Sequence, residues 1–312
     1  MSEFTLPDSL TLCEVGTREG FQSQPAVIPT DLKIRIINKL LDAGFTKINV
    51  AALVNPKLMP QMADADEVMS RINCKAGVTY SVLVLNEKGL ERAIKAKEAA
   101  MCLNQLIFVM ASTISVLNLT GIKGSFKEVM ERTKGMIARA KRANFTTQAF
   151  VSASFGCSIE GPVDESRVIA LGHELCDAGA DDIVFSDTTG QANPVQIYRF
   201  FTRVKEEFEG VGITAHFHDV RGAGLANILA LLLMGLERLT VDVAFGGLGG
   251  DVPFVPGAGG NVATEDLVCM LEGMGVSTGI DLDKVIECSK MAEGVYGQVC
   301  PSHVLRAGPV NG

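Results

Sequence analysis

The 312-residue chain has no tryptophan and only three tyrosines, so the stacking surfaces of a nucleic-acid groove or a carbohydrate cleft are thinly supplied. It also lacks any apolar run of the ~20 residues that a membrane span needs; Leu229 to Leu233 is among the longest. The opening Met-Ser-Glu-Phe-Thr has no basic stretch leading into an apolar one, so no export signal is expected. Positive charge is scarce: 28 Lys and Arg against 36 Asp and Glu leave a net charge of −8, which repels a polyanionic backbone. Together these absences predict a soluble cytoplasmic protein with no nucleic-acid and no membrane partner. None of the eight cysteines (13, 74, 102, 157, 176, 269, 288 and 300) forms a C-x-x-C pair. Several sit in apolar stretches, which predicts mostly structural free thiols in a reducing compartment.

What is present is apolar material for a large core, 47% of the residues, in eight short runs of strand character. They are 10–15, 47–52, 77–84, 106–111, 147–153, 182–185, 212–218 and 238–244. Helical periods lie between them, with expected caps at Thr30 and Asp31, Asn86, Ser125 and Asp164. Glycines at 44, 179 and 235 stand where a left-handed residue ends a helix before the next strand. Repeated strand, loop and helix units predict a parallel sheet covered by helices, and eight of them predict a closed (β/α)8 TIM barrel. An open doubly wound sheet is the alternative, opposed by the absence of G-x-G-x-x-G after the first strand. No linker or composition break appears, so residues 1–312 are expected to form a single domain, with 281–312 a short C-terminal extension of one helix and a tail.

Barrel enzymes carry their chemistry at the carboxyl ends of the strands. There the chain places Arg18, Glu19 and Gln22 after the first strand, Asp187 after the sixth, and His216 and His218 on the seventh. A stretch with seven glycines from Gly246 to Gly260 follows the eighth and closes on Asn261. His216 and His218 hold the strongest signal, because residues i and i+2 of a strand share a face and present two imidazoles to one cation. H-x-H alone fits a hydrogen-bonded pair equally well. A carboxylate after strand one and an amide oxygen after strand eight, neighbours in a closed barrel, complete a mixed N/O set suited to Mg²⁺ or Mn²⁺. Arg18 beside Glu19 reads either as a surface ion pair or as a cation that stabilises an enolate oxygen. Asp187 reads either as a catalytic group or as the cap of the Asp-Thr-Thr-Gly turn. The glycine stretch reads as a loose connection or as a mobile segment closing over substrate.

Seven stretches in one order over residues 10–290 resemble the 3-hydroxy-3-methylglutaryl-CoA lyase family. They are Glu14 to Gln22, Asn55-Pro56-Lys57 with Pro60-Gln61-Met62, Phe155-Gly156-Cys157 with Glu160-Gly161, Ser186-Asp187-Thr188, His216 to Asp219, Gly246 to Gly250, and Gly260 to Asp266. The resemblance implies a divalent metal on Glu19, His216, His218 and Asn261. It implies cleavage of a 3-hydroxyacyl-CoA to acetyl-CoA and a keto product, with Arg18 on the enolate. Gln22, Asn49, Gly249 and Gly250 are the expected substrate contacts, His216 or Asp187 the expected base, and a homodimer the expected assembly. The chain departs from the family at three places: Glu19 stands for its Asp, Asn49 for its strand-two Glu, and Asp251-Val252 for its loop cysteine. Asp251 is therefore the expected proton donor. Two other functions remain: acyl-CoA condensation with a 2-oxo acid, as in isopropylmalate synthases, and a barrel that keeps its metal without catalysis.

Overall fold

A computed structural model describes residues 6–250, 260–297 and 299–310. Eight parallel strands pair in chain order and close through β1 on β8: β1 (Thr11–Glu14), β2 (Lys47–Ala52), β3 (Thr79–Leu83), β4 (Gln105–Ala111), β5 (Thr146–Ser152), β6 (Asp182–Asp187), β7 (Gly212–Phe217) and β8 (Leu239–Val243). The fold is the expected (β/α)8 TIM barrel. Around it run α1 (Thr30–Asp42), α2 (Ala65–Arg71), α3 (Glu87–Glu98), α4 (Ile114–Leu119), α5 (Phe126–Arg142), α6 (Glu165–Asp177), α7 (Pro194–Glu207), α8 (Gly224–Leu232) and α9 (Thr264–Gly273). The extension adds α10 (Leu282–Tyr296) and α11 (Val304–Ala307). No helix is long and apolar enough to cross a membrane among the described residues.

Alternation along each strand sets what the barrel encloses. On β6 and β7 the outward Phe185 and Phe217 meet Phe200 and Phe201 of α7, with ring centroids 5.0 Å apart for Phe185 and Phe200 and 6.4 Å for Phe201 and Phe217. The inward residues of the same strands are polar. Thr214 Oγ1 and Gln148 Nε2 donate to Asp182 Oδ1 at 2.7 and 3.0 Å, a layer at the amino end of the barrel. Four residues beyond Asp182 and two beyond Thr214, Ser186 and His216 face the open carboxyl end. Helix caps hold the units in register. Asn86 and Asp164 accept from Gly89 N and Ser166 N, and Ser125 forms a reciprocal capping box with Glu128. The expected cap of α1 fails: the helix starts after Pro29, and the Thr30 hydroxyl donates to Asp64 instead. Gly44 has φ +109°, and a Cβ there would lie 2.4 Å from the Gly279 carbonyl oxygen, so only glycine turns α1 into β2.

The expectation of free thiols is corrected at one pair. Cys74, exposed before β3, and Cys102, buried before β4, form a disulfide with Cα atoms 5.5 Å apart. The loops that precede neighbouring strands emerge side by side at the amino end of the barrel, which places the two thiols together. The other six cysteines are free. Closing a segment of 28 residues stabilises the fold by about 3–4 kcal/mol in the chain-entropy account. Thermal unfolding should therefore start a few degrees lower with reductant present, and a Cys102→Ser variant should melt with the reduced protein at either redox state. Identical melting of the oxidised protein and the variant would contradict the bond's role.

Candidate active site

The loop after β1 is a π-helical turn, Gly16–Gly20, that aims two consecutive side chains at the barrel mouth. Val15 carbonyl accepts from both Arg18 N and Glu19 N, and Gly16 is packed so closely that a Cβ would lie 2.8 Å from the Phe245 ring. Arg18 and Glu19 are each only 6% exposed, which rules out a surface ion pair. Their pairing at 3.2 Å lies inside the mouth.

Opposite that turn, the ends of β7 and β8 present the histidines and the asparagine. His218 and Asn261 form an isolated backbone bridge, and Asp219 N donates to Gly260 O, so the segment after the glycine stretch is tied to the end of β7. The structure brings Glu19, His216 and His218 into one buried group whose ligand atoms all lie within 4.8 Å of one another. His218 Nε2 lies 3.0 Å from Glu19 Oε1, and His216 Nε2 lies 3.6 Å from Glu19 Oε2. The Asn261 amide stands 3.2 Å from Glu19 Oε1.

The outer partners of both imidazoles fix their tautomers. His218 Nδ1 is 2.8 Å from the Thr188 carbonyl oxygen, which has no hydrogen to give, so His218 donates there. His216 Nδ1 is 2.9 Å from Asp242 Oδ2 and donates to that carboxylate. Each ring is left with a bare Nε2, and the two Nε2 atoms face each other at 3.0 Å. Two lone pairs at that distance repel unless a proton or a cation sits between them. Burial works against a charged His216, but Glu19 and Asp242 push its pKa up to about 10. Burial likewise disfavours ionised Glu19, yet His216 and Arg18 hold its carboxyl well below the usual range. A buried carboxylate beside two bare imidazole nitrogens, all within 4.8 Å of one another, is chemically suited to a divalent cation. Asn261 Oδ1, buried with no hydrogen-bond partner, is the fourth donor of that set.

The remaining expected residues separate into those that face the chamber and those that do not. A cavity of about 340 Å³ above the cluster is lined by Arg18, Gln22, Ser186, Thr188, His216 and Gly250. Leu83, Val109, Leu119 and Phe150 form its apolar wall. Asn49 does not line it. Its Oδ1 accepts from Arg18 Nε at 2.5 Å while its Nδ2 donates to Ser81 O, so the amide orients the guanidinium. Gly249 packs against the cluster instead of the chamber, with φ +96°, and a Cβ there would lie 2.6 Å from Asn261 Nδ2. Asp187 faces away: its two oxygens accept from Gln191 N and Ala192 N, both at 2.9 Å, which is its turn-capping role. Asp251 lies outside the described residues.

Three acidic residues escaped the sequence reading. Asp242, in β8, orients His216. Glu14 accepts from Gly16 N, Phe245 N and the Thr264 hydroxyl, and Glu265 accepts from Gly246 N and Ser289 Oγ. The last two thus anchor both the Arg18 turn and the start of the glycine stretch. Burial pushes Glu14 up to about 8 and Glu265 up to about 7. An acid raised in the fold stabilises it fully below its unfolded pKa of about 4.3 and loses that contribution as pH rises through the folded value. Between about pH 4.5 and 7 the parent should therefore lose thermal stability relative to Glu265→Gln; parallel pH profiles for the two would contradict the assignment.

With this geometry in place, comparison with known proteins is decisive for the family. The hydroxymethylglutaryl-CoA lyase of Bacillus subtilis strain 168 is 38% identical over 300 residues, covering 96% of this chain and 97% of the relative. The crystal structure of the Bacillus subtilis HMG-CoA lyase superposes with a TM-score of 0.90 at 37% identity, covering 97% of this chain and 98% of that one. An HMG-CoA lyase from Acinetobacter baumannii, solved in complex with coenzyme A and 3-methylmalate, gives 0.87 at 35% identity, covering 97% and 96%. The model of the HMGL-like family matches residues 9–292, and the chain accordingly belongs to that family of carbon–carbon lyases.

Proposed function

We propose that residues 1–312 act as one catalytic unit that cleaves the C2–C3 bond of a 3-hydroxyacyl-CoA such as 3-hydroxy-3-methylglutaryl-CoA, giving acetyl-CoA and a keto product. The observation that carries this reading is the pair of facing Nε2 atoms beside Glu19 and the orphaned Asn261 Oδ1, at the floor of a chamber that also holds Arg18. Glu19, His216, His218 and Asn261 would hold Mg²⁺ or Mn²⁺, which when bound supplies Lewis-acid polarisation of the substrate hydroxyl and a neighbouring oxygen.

The substrate hydroxyl must lose a proton, the C2–C3 electron pair must pass into the acetyl-CoA enolate, and C2 must then gain a proton. Arg18 meets the second need. Asn49 fixes its Nε, and Arg18 lines the chamber, where its guanidinium would stabilise the thioester oxygen as it becomes an enolate oxygen. For the first need, Glu19 and His216 are the basic side chains lining the chamber among the described residues. The hydroxyl proton is proposed to pass to this Glu19–His216 pair, which Arg18 and Asp242 hold in place. Asp187, capped by two backbone amides, is not proposed again as the base. Asp251 is proposed to return a proton to C2. A homodimer in the cytoplasm completes the reading, with Val195 and Tyr198, 78% and 57% exposed on α7, offering apolar surface to a second copy.

The test is an assay of the purified protein with Mg²⁺ or Mn²⁺ and 3-hydroxy-3-methylglutaryl-CoA with its 3-substituted homologues. Acetyl-CoA and the keto product are expected in equal amounts. Thioester condensation with 2-oxo acids and no cleavage of any homologue would contradict the proposal.

A further inference from the structure

Lys33 of α1 is a cation on a core-facing position, 2% exposed and one helical turn before the wholly buried Ile36 and Ile37. Its ammonium pairs with Asp64 Oδ1 at 2.7 Å and also donates to the Gln61 carbonyl. The other Asp64 oxygen accepts from the Thr30 hydroxyl at 2.8 Å, so the carboxylate is held on both sides. Enclosing an ion pair costs desolvation that an apolar pair of similar volume avoids, so the pair is better explained by what it holds in place than by stability. What it holds is the short helical turn Pro60–Met62 in the segment after β2. The backbone of Gln61 is tied to Lys33, and its side chain reaches the segment after β1. Gln61 Nε2 donates to the Gln24 carbonyl at 2.7 Å, and Gln24 Nε2 donates to the Gly20 carbonyl at 3.1 Å. Gly20 ends the turn that carries Arg18 and Glu19, and both Gln24 and Gln61 line the chamber.

The contacts thus run unbroken from a buried ammonium to the residue after Glu19. We propose that the Lys33–Asp64 pair is a positioning device for the reacting chamber: through Gln61 and Gln24 it fixes the end of the Arg18–Glu19 turn, and with it the place of the Glu19 carboxylate beside the two imidazoles. Neither Lys33 nor Asp64 lines the chamber, so both act through other residues. The inference rests on the metal-dependent lyase reading above and adds to it the outer frame of one ligand. The required precision is high, because a misplacement of about 1 Å by a change far from the chemistry can cost on the order of 10²-fold in rate. A pair that served only to join α1 to the segment after β2 would have no need of the Gln61 side chain or of its crossing to Gln24.

The test separates positioning from stability. The double variant Lys33→Met with Asp64→Leu replaces the pair by apolar residues and leaves neither charge uncompensated, so in metal-free buffer it should melt at the parental temperature or above it. Its affinity for Mn²⁺, measured by calorimetry, should nevertheless fall roughly tenfold, the lower end of what loss of an outer partner of a ligand costs. Turnover should fall by roughly tenfold or more. Gln61→Leu, which cuts the link to Gln24 and leaves the ion pair intact, should reproduce both losses and keeps the test open if the double variant does not fold. Parental Mn²⁺ affinity in the variants, or losses that only accompany a falling melting temperature, overturns the proposal. The two readings fail separately. A parent that binds Mn²⁺ more tightly than both variants but cleaves no 3-hydroxyacyl-CoA refutes the lyase reading and sustains the positioning role. A parent that cleaves the thioester while both variants match its rate and its Mn²⁺ affinity overturns the positioning role alone.

Discussion

Arg18→Met is expected to lower turnover of the 3-hydroxyacyl-CoA by on the order of 10²–10³ or more, the usual effect of deleting a donor aimed at developing negative charge. The methionine fills most of the buried space, so the turn and the cluster should persist, and metal affinity should change far less than turnover. The size of the effect follows from burial. The guanidinium is enclosed with Glu19 and pinned by Asn49, so its field at the enolate oxygen is not diluted by water. Kinetics of the purified variant on the substrate that the parent prefers provide the check, and a near-parental rate would remove Arg18 from the chemistry. Asn49→Ala, which frees the guanidinium without deleting it, should give a smaller loss that Asn49→Gln does not restore, because the Oδ1 contact is short.

His218→Ala should weaken Mn²⁺ binding by roughly 100-fold or more, since losing only an outer partner of a ligand already costs 10–100-fold. Binding to the parent should also expel a proton. Without a cation His216 is protonated at neutral pH, its pKa pushed up to about 10 by Glu19 and Asp242 against the effect of burial, and a cation must displace that proton from Nε2. Calorimetry in buffers of different ionisation enthalpy reads this directly: about one proton released per cation near pH 7.5 in the parent. No release, or equal affinity in His218→Ala, would place the cation elsewhere.

The barrel was legible because a parallel strand buried on both faces is nearly all apolar, and eight such runs stand at regular spacing. The boundaries moved by a residue or two, as at β3, which begins at Thr79 and not at Gly77. H-x-H was legible for a local reason, the two-residue period of a strand. The supports of the site were not. Asp242 and Glu14 sit inside otherwise apolar strands, and a lone carboxylate in such a strand was the available signal; its partners, His216 and Phe245 N, are set by closure of the barrel. Asn49 illustrates the converse. Its position in the sequence suggested substrate contact, whereas the side chain is spent on Arg18 because β1 and β2 are neighbours. Asp187 had two readings, and two backbone amides select the turn. Cys74 and Cys102 carry no motif at a separation of 28; only the adjacency of the loops before β3 and β4 joins them.

Anomalous diffraction from crystals grown with Mn²⁺ tests the central claim most directly. One manganese peak is expected, bonded to Glu19, to Nε2 of both His216 and His218, and to Asn261 Oδ1. A map with no peak between the two imidazoles, or with the metal bound away from Glu19, would contradict the account.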